Sequence, residues 1–324
     1  MKQVVRHALL GLVAATLTVS TGAWAAEPVE SLKIMAPASP GGGWDGTSRA
    51  MQSVLQEAGV VPQVEVYNVP GAGGTVGLSQ LATTEKGNAN LLMMMGLVMT
   101  GSILTNDAPV TLEQSTPIAR LTGAYEVIVV PADSEFKTLD DLLAAFKADP
   151  GSISWAGGSA GGIDHIMVGL IAEETGVDPT QMNYIPFSGG GAALAAILGG
   201  QVSTGISSYS EWAGQIESGD LRALAISSAE PQEGLDIPTL MEQGIDLEVV
   251  NWRGVVAPPG ISDEERDALV ATMDAMVATD AWQEVLKRYQ WNGVYLSGDA
   301  FAEFLDSESQ RVEKVLQNIG LVSR

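Results

Sequence analysis

From Ser31 onward one local pattern recurs: a short apolar, β-rich run, a turn that is often rich in glycine, then an amphipathic stretch at helical spacing. Alternation of this kind builds α/β architecture with largely parallel sheets, because each helix carries the chain back across the sheet it has just left. Strands are predicted at Ser31 to Pro37, Val64 to Val69, Val127 to Val130, Ile153 to Ala156, Tyr184 to Pro186, Thr204 to Ser207 and Leu221 to Ser227. Leu91 to Met99, interrupted by Gly96, reads as a buried strand (Leu91 to Met95) followed by a turn. Helical spacing falls at Trp44 to Ala58, Gly74 to Thr84, Leu139 to Ala148, Gly162 to Glu174, Ala192 to Leu198 and Glu211 to Ser218. It dominates the C-terminal part at Ser262 to Ala278, Ala281 to Tyr289 and Asp299 to Gly320. Thr138 with Asp141, and Ser262 with Glu265, have the three-residue spacing of capping boxes and fix two helix starts.

Four glycine-rich loops sit between a predicted strand and a predicted helix: Ser39 to Asp45, Pro70 to Gly74, Gly157 to Gly162 and Ser188 to Gly191. Glycine there lets backbone N–H groups approach a ligand, and the helix that follows adds unpaired donors and a partial positive charge. One helix terminus is worth about 0.3–1 kcal/mol to an anion, so several converging loops are needed for a site. Any single loop serves equally well as a tight packing turn.

Two of the loops imitate enzyme motifs. Gly157-Gly158-Ser159-Ala160-Gly161 has the form of a nucleophile elbow, but His165, the one available partner, lies on the helix that begins there, so a triad cannot be assembled. Gly71 to Gly77 resembles a dinucleotide fingerprint, yet the acidic residue expected at the end of the next strand is missing. No Walker sequence occurs. No cofactor is expected.

Lys2, Arg6 and His7 precede an apolar run from Ala8 to Val19 that ends in small residues, the pattern of a secretory signal peptide. The run is shorter than the roughly 20 residues that span a bilayer. Ala23 and Ala25 satisfy the small-residue rule for cleavage after Ala25, with Ala26 as the mature start. Losing Lys2 and Arg6 leaves 14 basic against 39 acidic residues, a net charge of −25. Such a field repels nucleic acid and anionic lipid, and an anionic ligand needs a local positive potential to overcome it. Cysteine is absent and His165 is the one imidazole of the mature chain, which excludes disulfides, thiolate chemistry and a His-rich metal site.

Removing residues 1–25 from the 324 leaves 299, a length that suits two domains. Without a long linker, the expected arrangement is one discontinuous domain of residues 26–130 and 250–324, a second of residues 131–249, and a hinge with two crossings, the return running through Asn251-Trp252-Arg253-Gly254.

Several segments together resemble one family, the solute receptors of tripartite tricarboxylate transporters, including the Bug receptors. They are Ala36-Pro37-Ala38-Ser39-Pro40-Gly41-Gly42-Gly43-Trp44-Asp45, Asn68-Val69-Pro70-Gly71-Ala72-Gly73-Gly74, Gly158-Ser159-Ala160-Gly161-Gly162-Ile163-Asp164-His165, Pro186-Phe187-Ser188-Gly189-Gly190-Gly191 and Trp252-Arg253-Gly254-Val255-Val256-Ala257-Pro258-Pro259-Gly260. The resemblance covers essentially the whole mature chain. It implies an α/β, two-domain periplasmic-binding-protein fold, type II-like, with the ligand cleft between the domains. It also implies a monomeric periplasmic receptor that is not an enzyme, binds a small organic carboxylate (citrate-like as the best guess among di- and tricarboxylates) and hands it to membrane permease subunits. Other expectations for such a chain are the ligand-sensing partner of a signalling kinase and an exported hydrolase.

In the family the loop after the first strand and a loop of the second domain hold a carboxylate through main-chain donors and water. Carried over, the candidate contacts are Ser39, Gly42, Gly43, Trp44 and Asp45, then Ser159, Gly161, Gly162 and Asp164, with Ser188, Gly189 and Ser208 beside them. Asp45 cannot attract a carboxylate and is expected to shape its loop, cap the helix, or bind a ligand hydroxyl or water. Arg49 is expected to pair with Asp45 one helical turn away. Trp44 suits either a pocket wall or the core, and Arg253 either the return crossing or the ligand.

Overall fold

The computed structural model describes residues 29–323 apart from Gly42 and Ser188, so the leader and its cleavage site lie outside it. The strands are β1 (Ser31–Ala36), β2 (Gln63–Asn68), β3 (Leu91–Gly96), β4 (Thr116–Pro131), β5 (Ser154–Gly157), β6 (Asn183–Pro186), β7 (Thr204–Ser208), β8 (Leu221–Ile226), β9 (Val250–Ala257) and β10 (Leu296–Ser297). The helices are α1 (Gly43–Glu57), α2 (Thr75–Thr83), α3 (Leu97–Thr105), α4 (Leu139–Ala148), α5 (Ile163–Thr175), α6 (Gly190–Leu198), α7 (Tyr209–Glu217), α8 (Asp263–Val277), α9 (Asp280–Tyr289) and α10 (Gly298–Asn318). Both expected capping boxes form, at Thr138 and Ser262. No helix among the described residues is long and apolar enough to cross a membrane.

The strands join in the order β2-β1-β3-β9-β4-β7-β5-β6, with β8 and β10 also paired to β4. Pairing is parallel within β2-β1-β3 and within β7-β5-β6, but antiparallel wherever β4 or β9 takes part. The expectation of largely parallel sheets therefore holds at the two ends and fails in the middle. The cause is β4, a strand of sixteen residues that is shared by both halves. Its first part pairs with β9 as far as Tyr125↔Val250, and from Glu126↔Ser208 onward it pairs with β7 and β8. The exchange of partners at Tyr125 and Glu126 divides the molecule into two lobes.

Side chains alternate across the second part of β4, as strand geometry requires. Ile128 and Val130 join the large core that also holds Ile34, Met51, Trp155 and Trp252, whereas Val127 and Val129 join a smaller core with Ile197, Trp212 and Ile226 under α6 and α7. The large core runs through both lobes. The C-terminal helix α10 reinforces that continuity: Phe301 and Leu305 are buried in this core and Glu308 accepts from Trp252 Nε1 at 3.1 Å, while Val315 and Ile319 pack against Gly169 of α5.

Leu97–Thr105 is a helix where the sequence suggests only a turn. Five of its nine residues are buried, and it is apolar on most sides, so no amphipathic period marks it.

Candidate ligand-binding cleft

Parallel α/β sheets offer ligands the crevice at the carboxyl ends of their strands, where helix N-termini point. Here those ends carry the loops β1–α1 and β5–α5. A recess of about 930 Å³ lies at the amino ends of β1, β2 and β3, among Ser31, Gln63 and Asn90. It faces no helix N-terminus that follows these strands, and the loop crevice is the better candidate.

In the first loop, Asp45 is buried and its carboxylate is fully engaged. Oδ2 accepts from the Gly41 N–H at 2.9 Å and from Arg49 Nε at 3.0 Å, and Oδ1 accepts from Asn68 Nδ2 at 2.9 Å and meets Arg49 Nη2 at 2.9 Å. These partners, with Arg49 first, pull its pKa down to about 2. Asn68 also donates to the Ala38 carbonyl at 3.0 Å, tying the loop to the end of β2. Trp44 points away into the core against Gly74 and Met99. Ser39 and Gly43 are exposed. Gly42 lies outside the described residues.

Gly43 matters for what lies beside it. A Cβ there would stand 2.7 Å from Arg253 Nη2, so the guanidinium rests directly against the start of α1. Arg253 comes from β9, donates to Thr47 Oγ1 at 3.2 Å and lies 5.1 Å from the Trp291 ring centre. Burial pushes its pKa down, and the fields of Glu211 and Glu126 push it back up. Among the described residues it forms no ion pair.

The second loop is wired differently. Asp164 is buried and its Oδ2 accepts from the Gly158 N–H, the Gly161 N–H donates to His165 Nδ1 at 3.2 Å, and the Gly162 N–H donates to the Ser159 carbonyl at 2.9 Å. These three donors are therefore occupied within the loop, while the N–H groups of the exposed Ser159 and Ala160 and the Ser159 hydroxyl make no hydrogen bond among the described residues. His165 is buried and stacks on Tyr184 at 4.0 Å. Burial lowers its pKa to about 4, which leaves it neutral at pH 7, and Tyr184 O–H donates to the Gly158 carbonyl at 2.8 Å. No base is aimed at Ser159, so the nucleophile-elbow motif carries no nucleophilic chemistry.

At the exchange point of β4, Glu126 is wholly buried. Its Oε1 accepts from Ser208 Oγ at 2.8 Å, Asn251 Nδ2 donates to the same hydroxyl at 3.4 Å, and Oε2 has no partner. Burial first, and the field of Asp164 with it, push the Glu126 carboxyl well above its ordinary range. A further carboxylate, Glu211, accepts from Ser207 Oγ at 3.2 Å and sits against Gly190 at the start of α6, filling the anion position that the Ser188 to Gly191 loop would offer. Gly189 caps that helix with an extended ψ, and Ser188 lies outside the described residues.

One electrostatic line thus runs from Gly43 through Arg253, Glu126 and Asp164 to Gly158. Of the sequence candidates, it collects Gly43, Asp164 and Ser208; Trp44 faces the core, and Gly161 abuts Gly101 and Thr105 of α3. It also brings in Glu126, Glu211, Thr47 and Tyr184, which the sequence did not single out. Glu126 had a signal: one acid at the head of the apolar run Val127 to Val130.

Two lobes that share a long strand, with the half-buried Arg253 guanidinium set against the N-terminus of α1, give the frame of a protein that can hold a small solute. The finer assignment follows from sequence. Residues 48–321 match the tripartite tricarboxylate transporter family receptor, and the chain belongs to that family of periplasmic receptors, which are not enzymes. It is 28% identical to protein BugT of Bordetella pertussis, over 97% of each chain. A TctC solute-binding protein from Polaromonas superposes with a TM-score of 0.76 at 27% identity, covering 90% of this chain and 99% of the other. MatC from Rhodopseudomonas palustris, solved with bound malate, has the same fold, with a TM-score of 0.70 at 22% identity and coverages of 90% and 100%.

Proposed function

We propose that the exported protein, cleaved after Ala25, is a monomeric receptor that binds a small di- or tricarboxylate between its lobes and delivers it to the permease of a tripartite transporter. Arg253 carries this reading. A half-buried guanidinium without an ion pair among the described residues, in a mature chain of net charge −25, is costly unless an anion completes it. The missing side chain of Gly43 lets the start of α1 lie against its Nη2, the N-terminus of α1 adds its partial charge, and the exposed Ser39 and Ser159 offer hydroxyls to the rest of the ligand. The malate bound by MatC is a ligand of the expected class.

The test is a thermal-shift screen of the mature chain against malate, citrate and longer dicarboxylates, since a ligand at about 100 times its Kd adds about 2.7 kcal/mol to stability. Arg253→Gln should weaken the ligand found by about 2–4 kcal/mol, roughly 30- to 1000-fold. Unchanged affinity in Arg253→Gln, or no shift with any carboxylate, would sink the assignment. Binding should also compact the molecule in small-angle scattering, because a ligand that bridges the lobes favours the closed form.

A further inference from the structure

Trp291 stands just beyond α9, and its placement is fixed from several sides. Gln290 before it takes the left-handed conformation at φ +52°, uncommon for a residue with a side chain, and the Trp291 N–H then turns back to the Leu286 carbonyl at 2.8 Å. After it, Asn292 exchanges both backbone hydrogen bonds with Gly123 of β4, at 2.7 and 3.0 Å, close to the point where β4 changes partners. The ring is held too. Tyr289 stacks on it with centres 4.6 Å apart and planes at 17°, and the Arg253 guanidinium lies over it at 5.1 Å. Trp291 also shares a recess of about 210 Å³ with Tyr125 at the exchange point and with Tyr209 and Glu233 of the second lobe. Trp44, Trp155, Trp212, Trp252 and Trp282 are buried, which leaves Trp291 as the one tryptophan among the described residues that is not.

An indole attracts a guanidinium through its electron-rich face yet brings no negative charge. Arg253 is thereby held while its own charge stays open to an anion, and its Nη1 donates to Thr47 Oγ1 on α1 at 3.2 Å. We propose that Trp291 is the positioning residue of the cleft: its π-face holds the Arg253 guanidinium against the start of α1, where the carboxylate of the ligand is taken up. Because that cation lies over the one indole that is not buried, the emission of Trp291 follows the charge at Arg253. A ring needed only for packing is replaceable by any apolar side chain of similar bulk; a ring needed for its π-face is not.

That Arg253 meets a carboxylate rests on the proposed function; the contact between Trp291 and Arg253 does not. In the ligand-free mature protein, Arg253→Gln should alter the tryptophan emission, and the same substitution in a Trp291→Phe background should leave it unaltered. A difference of equal size in both backgrounds overturns the contact. Malate is then titrated by calorimetry and by emission, and these titrations decide the proposal if Arg253→Gln does not fold. Trp291→Phe keeps a π-face and should bind within about threefold of the parent, whereas Trp291→Leu keeps only apolar bulk and should bind about tenfold more weakly. The saturable emission change that malate causes in the parent should be missing from both variants, although both bind. Equal affinities in Trp291→Phe and Trp291→Leu overturn the positioning role. An emission change in Trp291→Phe as large as in the parent belongs to a buried tryptophan and overturns the coupling of Trp291 emission to Arg253. Failure of malate to bind the parent overturns the carboxylate reading for this probe and the positioning role with it, while the ligand-free emission still decides the contact.

Discussion

The loops Ser39 to Asp45 and Gly157 to Asp164 use the same backbone device to opposite electrical ends. In each, an aspartate in the first turn of the following helix reaches back to a loop N–H, Gly41 for Asp45 and Gly158 for Asp164. Asp45 also has Arg49 and Asn68, and its carboxyl is held near pKa 2; Asp164 has no cation beside it among the described residues, and burial, with the field of Glu211 added, raises its carboxyl to about 7. Geometry that is alike therefore yields a permanent anion on one side of the cleft and a titratable group on the other. A shared motif fixes backbone shape, and protonation follows from what packs against the side chain.

The comparison breaks most visibly at Asp45. Asp45→Asn leaves Arg49 without its counter-charge and loosens the tie to Asn68, and about 3 kcal/mol of stability, on the order of 6 °C in Tm, should be lost at pH 7. Because the folded pKa is depressed, this contribution is present above pH 4 and disappears as pH falls toward 2, so the Tm curves of parent and variant should converge in acid.

Asp164→Asn should do the reverse. A raised folded pKa means that the native state holds the proton more tightly than the unfolded chain, so stability is greatest below pH 4 and declines as pH rises to about 7. Asparagine keeps the acceptor for Gly158 without the charge, and the variant should lose much of that decline, gaining on the order of 4 °C over the parent at pH 8 by calorimetry. A parallel pair of curves would show that the two aspartates do not differ as described.

Two glycines sharpen the contrast further. Gly43→Ala drives a Cβ toward the flexible end of Arg253, so carboxylate affinity should fall about tenfold while Tm barely moves. Gly161 has φ +76°, and Gly161→Ala should cost about 1 kcal/mol of stability from the backbone alone, read as a shift of about 2 °C. Its amide is already bound to His165, so affinity measured by titration should change little. An outcome with the two glycines exchanged would place the ligand on the second loop instead of beside Arg253.

What the sequence made legible is local. The helix Leu139–Ala148 with its Thr138 box, and the Asp45–Arg49 pair one turn apart, follow from spacings of three and four residues. The cleft is assembled over longer spans: Glu126 meets Ser208 across 82 positions, and Arg253 meets Thr47 across 206. No periodicity announces such contacts. The first half of β4 was hidden because it is buried on both faces and lacks alternation, which also concealed that its partners change at Glu126, four residues before Val130, near which the sequence suggested the chain leaves the first domain.

The far end of α10 gives the cleft an outward signal. A Cβ on Gly161 would stand 3.7 Å from Leu321, a residue on the molecular surface just beyond the helix, and Gly169 on α5 is seated against Ile319. The second loop thus stands against side chains that the surrounding medium can touch. A fluorophore at the C-terminal turn would therefore sit beside that loop while remaining outside the crevice.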